Sequence, residues 1–446
     1  MSPSRRDFFK AGAAAGIGAA VSGLSAGPVG TPSTSGPARS AFRTPPLDTV
    51  RIGFVGVGGM GSAHVRNFLA IEGVAVKAIC DIVEDRVSRA RKWVLDAGQP
   101  EPAGYSRGPR DFERMCAEED LDLVLTATPW EWHVPVCAAA MTHGKHAATE
   151  VPAAMSVDDC WRLVETAEKT KRHCVMMENC CYDRIELRTL NMIRKGLLGE
   201  ILHAEAGYLH DLREVKFSGE GEGLWRRQHS MKHNGNLYPT HGLGPVAQCM
   251  NINRGDAFDT LVSASSPSRG LQEYAREKFG PDSPQAKEKF ALGDVNTSLI
   301  RTRNGRTIIL VHDTNLPRPY SRIHCVQGTK GIVQKWPDRV YIEGRSPEHE
   351  WEAFDKYAEF EHPLWTRLAE KGEGRGHGGM DYIEDCRLVE CLRRGEPLDT
   401  DVYDAAAWSA VVGLSEASVA RKGRPVDFPD FTRGLWKTNA PLGIID

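Results

Sequence analysis

Short apolar runs alternate with amphipathic stretches from residue 48 to about residue 180. The apolar runs predict strands, and the stretches between them repeat apolar residues at helical spacing. Strands are predicted at residues 50–56, 74–81, 122–127, 146–150 and 174–178, and helices at residues 62–71, 85–97, 133–143 and 157–171. Strands separated by helices of this length predict a doubly wound parallel sheet, residues 48–180, in a protein of the α/β class.

The chain after residue 181 has a different rhythm. Strands are predicted at residues 201–211, 259–265, 296–302, 306–313, 322–327 and 339–343, with few helices between them. Asn304-Gly305 predicts a hairpin turn, and helical patterns at 381–394 and 402–422 end at Gly395 and Gly423. We expect an α+β domain, residues 181–446, with a large, mostly antiparallel open sheet. An open sheet face is a natural interface for a homo-oligomer.

The first 47 residues resemble an export signal followed by a linker. Residues 4–10 read Ser-Arg-Arg-Asp-Phe-Phe-Lys, which has the form of a twin-arginine signal, and a short Ala- and Gly-rich run follows. That run is too short for a membrane span, and residues 27–47 are rich in Pro, Ser and Gly. We predict the twin-arginine export machinery as a partner, a periplasmic or secreted location and no stable membrane insertion.

Charge and cysteine content exclude several classes of function. The net charge of −3 provides no general basic surface for nucleic acid. The eleven cysteines are odd in number and show no zinc-binding spacing, so we expect buried thiols and no metal site.

A glycine-rich turn follows the first predicted strand and opens the first predicted helix. Gly56, Gly58 and Gly61 have the spacing of a dinucleotide-binding turn, which assigns the N-terminal sheet to the Rossmann type. Asp81 ends the next strand, where a carboxylate binds a ribose diol and favours NAD over NADP. An exported protein has no large pool of free NAD outside the cytoplasm. The cofactor is therefore expected to stay tightly bound and to be recycled in place, which favours redox-neutral chemistry.

Longer motifs give the chain a family resemblance. Residues 126–133 and 143–152 resemble the sugar dehydrogenase superfamily that includes glucose-fructose oxidoreductase and inositol dehydrogenase. In that superfamily the second motif ends Glu-Lys-Pro, whereas this chain has Val151 in place of the lysine. Residues 176–182, 210–213, 225–230, 235–244, 253–256 and 316–322 resemble one branch closely, the NAD-dependent α-N-acetylgalactosaminidases of glycosyl hydrolase family 109.

The resemblance implies a set of site residues. Those expected to bind NAD, beside the glycine turn, are Met60, Gly61, Asp81, Trp130, Glu131, Trp132, His133, Glu150, Val151 and Asn179. Those expected to bind the sugar are Tyr208, Arg226, Tyr238, Pro239, Thr240, His241 and Tyr320. Tyr182 is a further candidate for the same site.

The resemblance also implies a reaction on a small-molecule or glycan substrate. NAD oxidises C3 of a terminal α-linked N-acetylgalactosamine or related hexose, the C1 substituent is eliminated, water adds and C3 is reduced again. Tyr238 and His241 are the candidate catalytic residues, because their spacing predicts one helix face and Val151 cannot move a proton.

Three other functions remain open from the sequence. They are an exported sugar oxidoreductase with tightly bound NAD(P), a non-catalytic sugar-binding homologue, and a conventional glycosidase with two carboxylates.

Overall fold

The structure is a computed structural model that describes Phe42 and residues 44–445. The predicted twin-arginine signal lies outside the described residues, and so does most of the predicted linker. None of the described helices is long and apolar enough to cross a membrane.

The N-terminal half forms a parallel sheet of six strands. The strands are β1 (Val50–Val55), β2 (Val74–Cys80), β3 (Ala103–Tyr105), β4 (Leu123–Thr126), β5 (His146–Thr149) and β6 (Cys174–Met176). The helices are α1 (Gly59–Leu69), α2 (Glu84–Asp96), α3 (Asp111–Glu118), α4 (His133–Thr142) and α5 (Val157–Thr170). The strand order is β3-β2-β1-β4-β5-β6, which confirms the predicted Rossmann arrangement. The carboxyl ends of β1 and β4 flank the point where the order reverses, the usual place for a ligand in such sheets.

The C-terminal half forms a mixed sheet of nine strands. The strands are β7 (Ile201–Leu209), β8 (Phe258–Ser265), β9 (Val295–Thr302), β10 (Thr307–Asp313), β11 (Cys325–Gly328), β12 (Gly331–Gln334), β13 (Arg339–Ile342), β14 (Glu352–Ala353) and β15 (Val426–Asp427). Their order is β14-β13-β12-β11-β7-β10-β9-β8-β15, and only β7 and β10 pair in parallel among these neighbours. The predicted mostly antiparallel sheet is therefore confirmed.

Ten helices of the described chain accompany this second sheet. They are α6 (Arg184–Arg194), α7 (Arg213–Phe217), α8 (Gly223–Lys232), α9 (Thr240–Cys249), α10 (Gly270–Phe279), α11 (Pro284–Lys287), α12 (Pro363–Gly372), α13 (Met380–Arg394), α14 (Val402–Ser409) and α15 (Val411–Ala420). The expectation of few helices between the strands is wrong, because α7, α8 and α9 all lie between β7 and β8. Every residue of α9 except His241 is buried, so this helix has no amphipathic period to detect.

Helix α13 joins the C-terminal half of the chain to the first sheet. Apolar side chains of α13 enter the buried cluster that contains Phe54 and Phe68. Asp385 of α13 also accepts a hydrogen bond of 2.9 Å from Asn67 Nδ2 on α1. Asp381, at the start of α13, accepts a hydrogen bond from Asn179 just after β6, which fixes the start of α13 beside the carboxyl end of the parallel sheet.

Candidate active site

The turn between β1 and α1 is shaped by its glycines. Gly56 has φ of +82°, and a Cβ on Gly61 would lie 1.9 Å from the carbonyl oxygen of Gly56. Only glycine at position 61 allows this close contact of helix and strand. A Cβ on Gly58 would meet only the Arg86 guanidinium among described atoms, at 3.6 Å, and no described side chain caps the helix there. The free N–H groups of α1 therefore fit a pyrophosphate.

Asp81 lies at the carboxyl end of β2, beside the glycine turn. Its two carboxylate oxygens accept hydrogen bonds from the backbone N–H groups of Val57, at 2.8 Å, and Val83, at 2.9 Å. These bonds hold the carboxylate at the turn with lone pairs left for a ribose diol. Arg86 Nη1 lies 3.8 Å from Asp81 Oδ1. The Asp81 carboxylate thus fits the ribose diol of NAD. Met60 lies in the first turn of α1, which follows the glycine turn.

The side chains of His133 and Trp132, in the segment after β4, pack within the fold. His133 is buried, with its ring nitrogens 2.8 Å from the Pro152 carbonyl oxygen and 2.9 Å from that of Thr128. It joins the loops after β4 and β5. Trp132 is half-buried and packs edge-on against Phe112.

The neighbouring residues of this segment turn towards α8. Trp130 is buried, and its ring centroid lies 4.7 Å from that of Trp225. Glu131 Oε2 lies 3.5 Å from His229 Nε2, and the hydrogen bond from His229 lowers the pKa of Glu131. The segment therefore joins the loop after β4 to helix α8.

Glu150 lies after β5 within a buried chain of charged groups. Its Oε1 lies 2.8 Å from His64 Nε2, and His64 Nδ1 lies 2.9 Å from Asp385 Oδ1. Burial opposes charge on His64, but Asp385 and Glu150 outweigh it and raise the pKa of His64 well above its ordinary value. Burial likewise opposes charge on Glu150, yet the hydrogen bond from His64 lowers the pKa of Glu150. This row of charged groups therefore holds an anionic Glu150 beside the cationic imidazole of His64.

Val151 follows Glu150 after β5, and Asn179 begins the 3₁₀ turn after β6. Val151 is buried in the larger apolar cluster, so its side chain offers no group for proton transfer. Asn179 follows β6, and its Nδ2 donates to Asp381 Oδ1 over 2.6 Å. Asp381 also lies 2.8 Å from Nδ1 of His377, which stands in the glycine-rich loop before α13.

Five of the predicted sugar-binding residues come together from four separate segments. Tyr208 is in β7, Arg226 in α8, Tyr238 just before α9, His241 in the first turn of α9, and Tyr320 after β10. The ring centroids of Tyr208 and Tyr238 lie 4.6 Å apart, and those of Tyr238 and His241 lie 4.8 Å apart at a right angle. Tyr320 lies 6.1 Å from Tyr208. These residues form one aromatic wall.

Arg226 is held against this wall by stacking. Its guanidinium carbon lies 5.1 Å from the Trp130 ring centroid, 4.8 Å from that of Trp225 and 5.0 Å from that of Tyr238. Its Nε donates to Glu222 Oε2 over 2.6 Å. Arginine can stack on aromatic rings while its outer nitrogens remain free to donate. It is therefore suited to bind an oxygen of a polar ligand.

The remaining two predicted sugar residues do not offer side chains to a ligand. Pro239 stands just before α9, and Thr240 is fully buried. Tyr238 itself precedes the helix, so the expectation that Tyr238 and His241 share a helix face is wrong. The ring contact arises because Pro239 turns the chain into α9 directly after Tyr238.

The tyrosines of the wall are protonated. Burial raises the pKa of Tyr238 well above its ordinary value and the pKa of Tyr208 to about 12. It also raises the pKa of Tyr320. These phenols can donate hydrogen bonds or a proton, and they do not rest as phenolates at neutral pH.

Glu178 contacts His241 of the wall, whereas the Tyr182 hydroxyl is bonded elsewhere. Glu178 Oε1 lies 2.6 Å from His241 Nδ1, a contact the sequence reasoning missed although a carboxylate at the end of β6 was its visible signal. The Tyr182 hydroxyl donates to Asp399 over 3.1 Å, so that group is engaged away from the wall.

A metal site was not expected from the sequence. One group of side chains in the described part of the chain has the composition of a metal site. Ligand atoms of Glu178, Cys180 and His241 lie within 4.8 Å of one another. The Glu178–His241 hydrogen bond already satisfies two of these donors. Burial raises the pKa of the Cys180 thiol well above its ordinary value, so it rests protonated, whereas metal binding requires the thiolate. All eleven cysteines are buried and free, which confirms the expected thiols.

Comparisons with known proteins assign the two halves. Residues 50–178 match the NAD-binding Rossmann fold of an oxidoreductase family, and residues 182–438 match the C-terminal domain of glycosyl hydrolase 109. Among solved structures, a levoglucosan dehydrogenase in complex with NADH and levoglucosan covers 85% of this chain and 100% of its own, with 19% identity and a TM-score of 0.65. An NAD-binding oxidoreductase from Klebsiella pneumoniae gives 18% identity and a TM-score of 0.66. These likenesses show the fold.

Curated relatives are much more similar. A glycosyl hydrolase family 109 protein of Solibacter usitatus (strain Ellin6076) is 49% identical over 443 residues, 98% of this chain and 99% of the relative. One of Shewanella amazonensis (strain ATCC BAA-1098 / SB2B) is 49% identical over 450 residues, 99% of each chain. With an NAD-binding fold and matches along nearly the whole chain, the protein belongs to glycosyl hydrolase family 109.

Proposed function

We propose that the protein is a glycosidase that hydrolyses a terminal α-linked N-acetylgalactosamine, or a related hexose, with NAD that stays bound and is recycled. The observation that carries the proposal is the contact between the loop after β4, on the cofactor side, and the aromatic wall. Trp130, at the cofactor side, lies 5.7 Å from Tyr238, whose ring abuts His241. A sugar against this wall lies beside the carboxyl edge of the parallel sheet.

The protein's own residues supply binding and proton transfer in this reaction. Bound NAD supplies a hydride acceptor for C3 and the donor that later reduces it. Tyr238 and His241 share the proton transfers at the C3 hydroxyl and at C2, with His241 as the acceptor and Tyr238, which rests as a phenol, as the donor. Loss of the C2 proton forms a C1–C2 double bond as the C1–O bond breaks, and the departing oxygen takes up a proton. Water then adds across C1 and C2, so the net result is hydrolysis.

The other wall residues hold the sugar during these steps. Arg226 binds the acetamido group or a ring hydroxyl, because its stacked guanidinium keeps outer N–H groups free. Tyr320 orients the sugar, and its hydroxyl is fixed by Arg322 Nη1 at 3.1 Å. Val151 leaves no lysine beside the reacting hydroxyl, which is why proton transfer falls to Tyr238 and His241.

Export of the folded protein belongs to the same proposal. Residues 4–10 support a twin-arginine route to the periplasm or the medium, and a protein delivered there folded can carry its cofactor with it. Replacement of Arg5 and Arg6 by lysine is expected to leave the protein in the cytoplasm. Unchanged export of that variant would contradict this part of the proposal.

The function is tested with purified protein and a chromogenic α-N-acetylgalactosaminide, without added NAD. The proposal predicts aglycone release and one equivalent of NAD set free when the protein is denatured. Activity of protein shown to be free of NAD would contradict the proposal and favour a two-carboxylate glycosidase. Accumulation of NADH with a ketosugar and no aglycone would assign the protein to the sugar oxidoreductases instead.

A further inference from the structure

Glu178 forms a buried pair with His241. The distance from Glu178 Oε1 to His241 Nδ1 is 2.6 Å, and the Glu178 side chain is 1% exposed. The His241 side chain is 13% exposed, so part of its ring is open to solvent. A carboxylate on one ring nitrogen leaves the other nitrogen to act on a ligand.

The local backbone holds Glu178 in this position. The N–H of Cys180 donates to Glu178 Oε1 over 3.2 Å, so the side chain caps the short 3₁₀ turn Asn179–Tyr182. Helix α9 comes close because residue 244 is glycine. A Cβ there would lie 3.0 Å from both Glu178 Cγ and Cys181 Sγ. The turn after β6 and helix α9 are thus packed so that Glu178 and His241 meet.

The second carboxylate oxygen of Glu178, Oε2, has no hydrogen bond within the described part of the fold. This oxygen is buried. A buried carboxylate serving only stability is normally satisfied on both oxygens. The bond to His241 is therefore the main side-chain contact that accounts for a carboxylate at this position.

We propose that Glu178 is the positioning residue of His241, an inference that rests on the proposed glycosidase function. The Glu178 carboxylate accepts a hydrogen bond from the Nδ1–H group of His241, which fixes the tautomer with a free lone pair on Nε2. Nε2 then takes a proton from the sugar, while the electron pair of the broken bond stays on the sugar. The imidazolium so formed lies against the Glu178 carboxylate, and it returns the proton in the later step.

The test compares Glu178→Gln with the unchanged protein by nitrogen NMR of labelled histidines and by kinetics. The His241 signals are assigned from their loss in His241→Gln. We expect His241 to carry its proton on Nδ1 in the unchanged protein and to lose that preference in Glu178→Gln. The kcat for aglycone release should fall about 100-fold, the scale of a misplaced acid–base group, with KM changed by less than about threefold.

A matched variant separates this role from simple burial. Glu384 is also a buried glutamate, and burial raises its pKa well above the ordinary value, so Glu384→Gln removes no charge. It should leave the His241 tautomer and kcat unchanged. If Glu178→Gln does not fold, Glu178→Asp keeps the carboxylate and should retain the Nδ1 proton with an intermediate kcat.

Two outcomes overturn the inference. One is a folded Glu178→Gln with an unchanged tautomer and kcat, and the other is loss of the Nδ1 proton in a folded Glu178→Asp. Failure of the proposed function is distinguishable, because it appears as no aglycone release by the unchanged protein. The tautomer measurement needs no substrate and decides the Glu178–His241 pair by itself.

Discussion

At the scale of single residues, the candidate site contains one group that stays protonated and one that stays ionised. Tyr238 rests as a phenol because burial disfavours its charge, whereas Glu150 stays anionic because His64 donates to it. Pairs of groups with separated pKa values are typical of acid–base sites. Both groups lie where the two halves of the chain meet.

The hydroxyl of Tyr238 can be tested alone. Tyr238→Phe keeps the ring contacts with Tyr208 and His241 but removes the hydroxyl, the only group of this side chain that can move a proton. We expect kcat for aglycone release to fall about 10²- to 10⁴-fold, with NAD content unchanged. Steady-state kinetics with cofactor analysis checks this. Tyr341→Phe, in strand β13 away from the wall, is the control, and equal kcat values for the two variants would refute the role of Tyr238.

At the scale of elements, the glycine turn fixes how α1 packs on the first sheet. Gly61 faces the Gly56 carbonyl oxygen, whereas a Cβ on Gly59 would have no described atom within 4 Å. The two glycines are two residues apart in the same helix, so they form a natural comparison.

Gly61→Ala is expected to force α1 away from β1. Crowding of this kind costs about 1–3 kcal/mol of unfolding free energy and should also lower the retained NAD. Gly59→Ala should leave the unfolding free energy unchanged or raise it by up to about 1 kcal/mol, since alanine favours a helix. Urea unfolding and cofactor content measure both. Similar losses in the two variants would show that the close contact at Gly61 is not what matters.

The elements also show how far sequence patterns reach. Buried parallel strands such as β1 and β4 are continuous apolar runs between turn residues, so they could be predicted. Strand β3 has three residues at a sheet edge, and α9 is buried nearly all round, so neither has a readable period. The glycine turn and Asp81 were readable because their geometry is local.

The partners of the candidate acid–base residues could not be predicted, because they are far apart in the sequence. Glu178 and His241 are 63 residues apart, and His64 and Asp385 are 321 residues apart. Only the packing of α9 and α13 brings them together. The family resemblance therefore pointed to candidate residues, but no sequence pattern indicated which carboxylate accompanies each histidine.

At the scale of the whole molecule, a buried ion network joins α6 to the second sheet. Glu186 accepts a hydrogen bond of 2.9 Å from Lys335 Nζ and another of 2.5 Å from Arg322 Nη2. Arg322 in turn donates to the Tyr320 hydroxyl over 3.1 Å, so the network also supports the aromatic wall. Burial alone would raise the pKa of Glu186, but the two cations lower it to about 2.

This network predicts part of the acid sensitivity of the fold. A carboxyl group whose pKa is lowered by folding adds stability above its ordinary value of 4.5, and that stability is lost as pH falls from about 4.5 towards about 2. Glu186→Gln should lose about 1.5–3 kcal/mol at neutral pH, because the two buried cations lose one of the two carboxylates that bind them and keep only Asp183. Its stability should then depend less steeply on pH in that window.

Urea unfolding across pH 7 to 2 measures both effects. Asp96→Asn removes an exposed partner of Lys92 and should change stability by less than about 0.5 kcal/mol. A Glu186→Gln variant as stable as the unchanged protein at neutral pH, with the same acid profile, would refute the role assigned to the network.

The measurement that tests the central claim most directly is isotope incorporation at C2 of the released sugar. The purified protein turns over a chromogenic α-N-acetylgalactosaminide in heavy water without added NAD, and mass spectrometry locates deuterium in the product. The account predicts deuterium at C2, because the C2 proton is removed during elimination and replaced from solvent when water adds. Aglycone release with protium retained at C2 would contradict oxidation and elimination and would show direct displacement at C1.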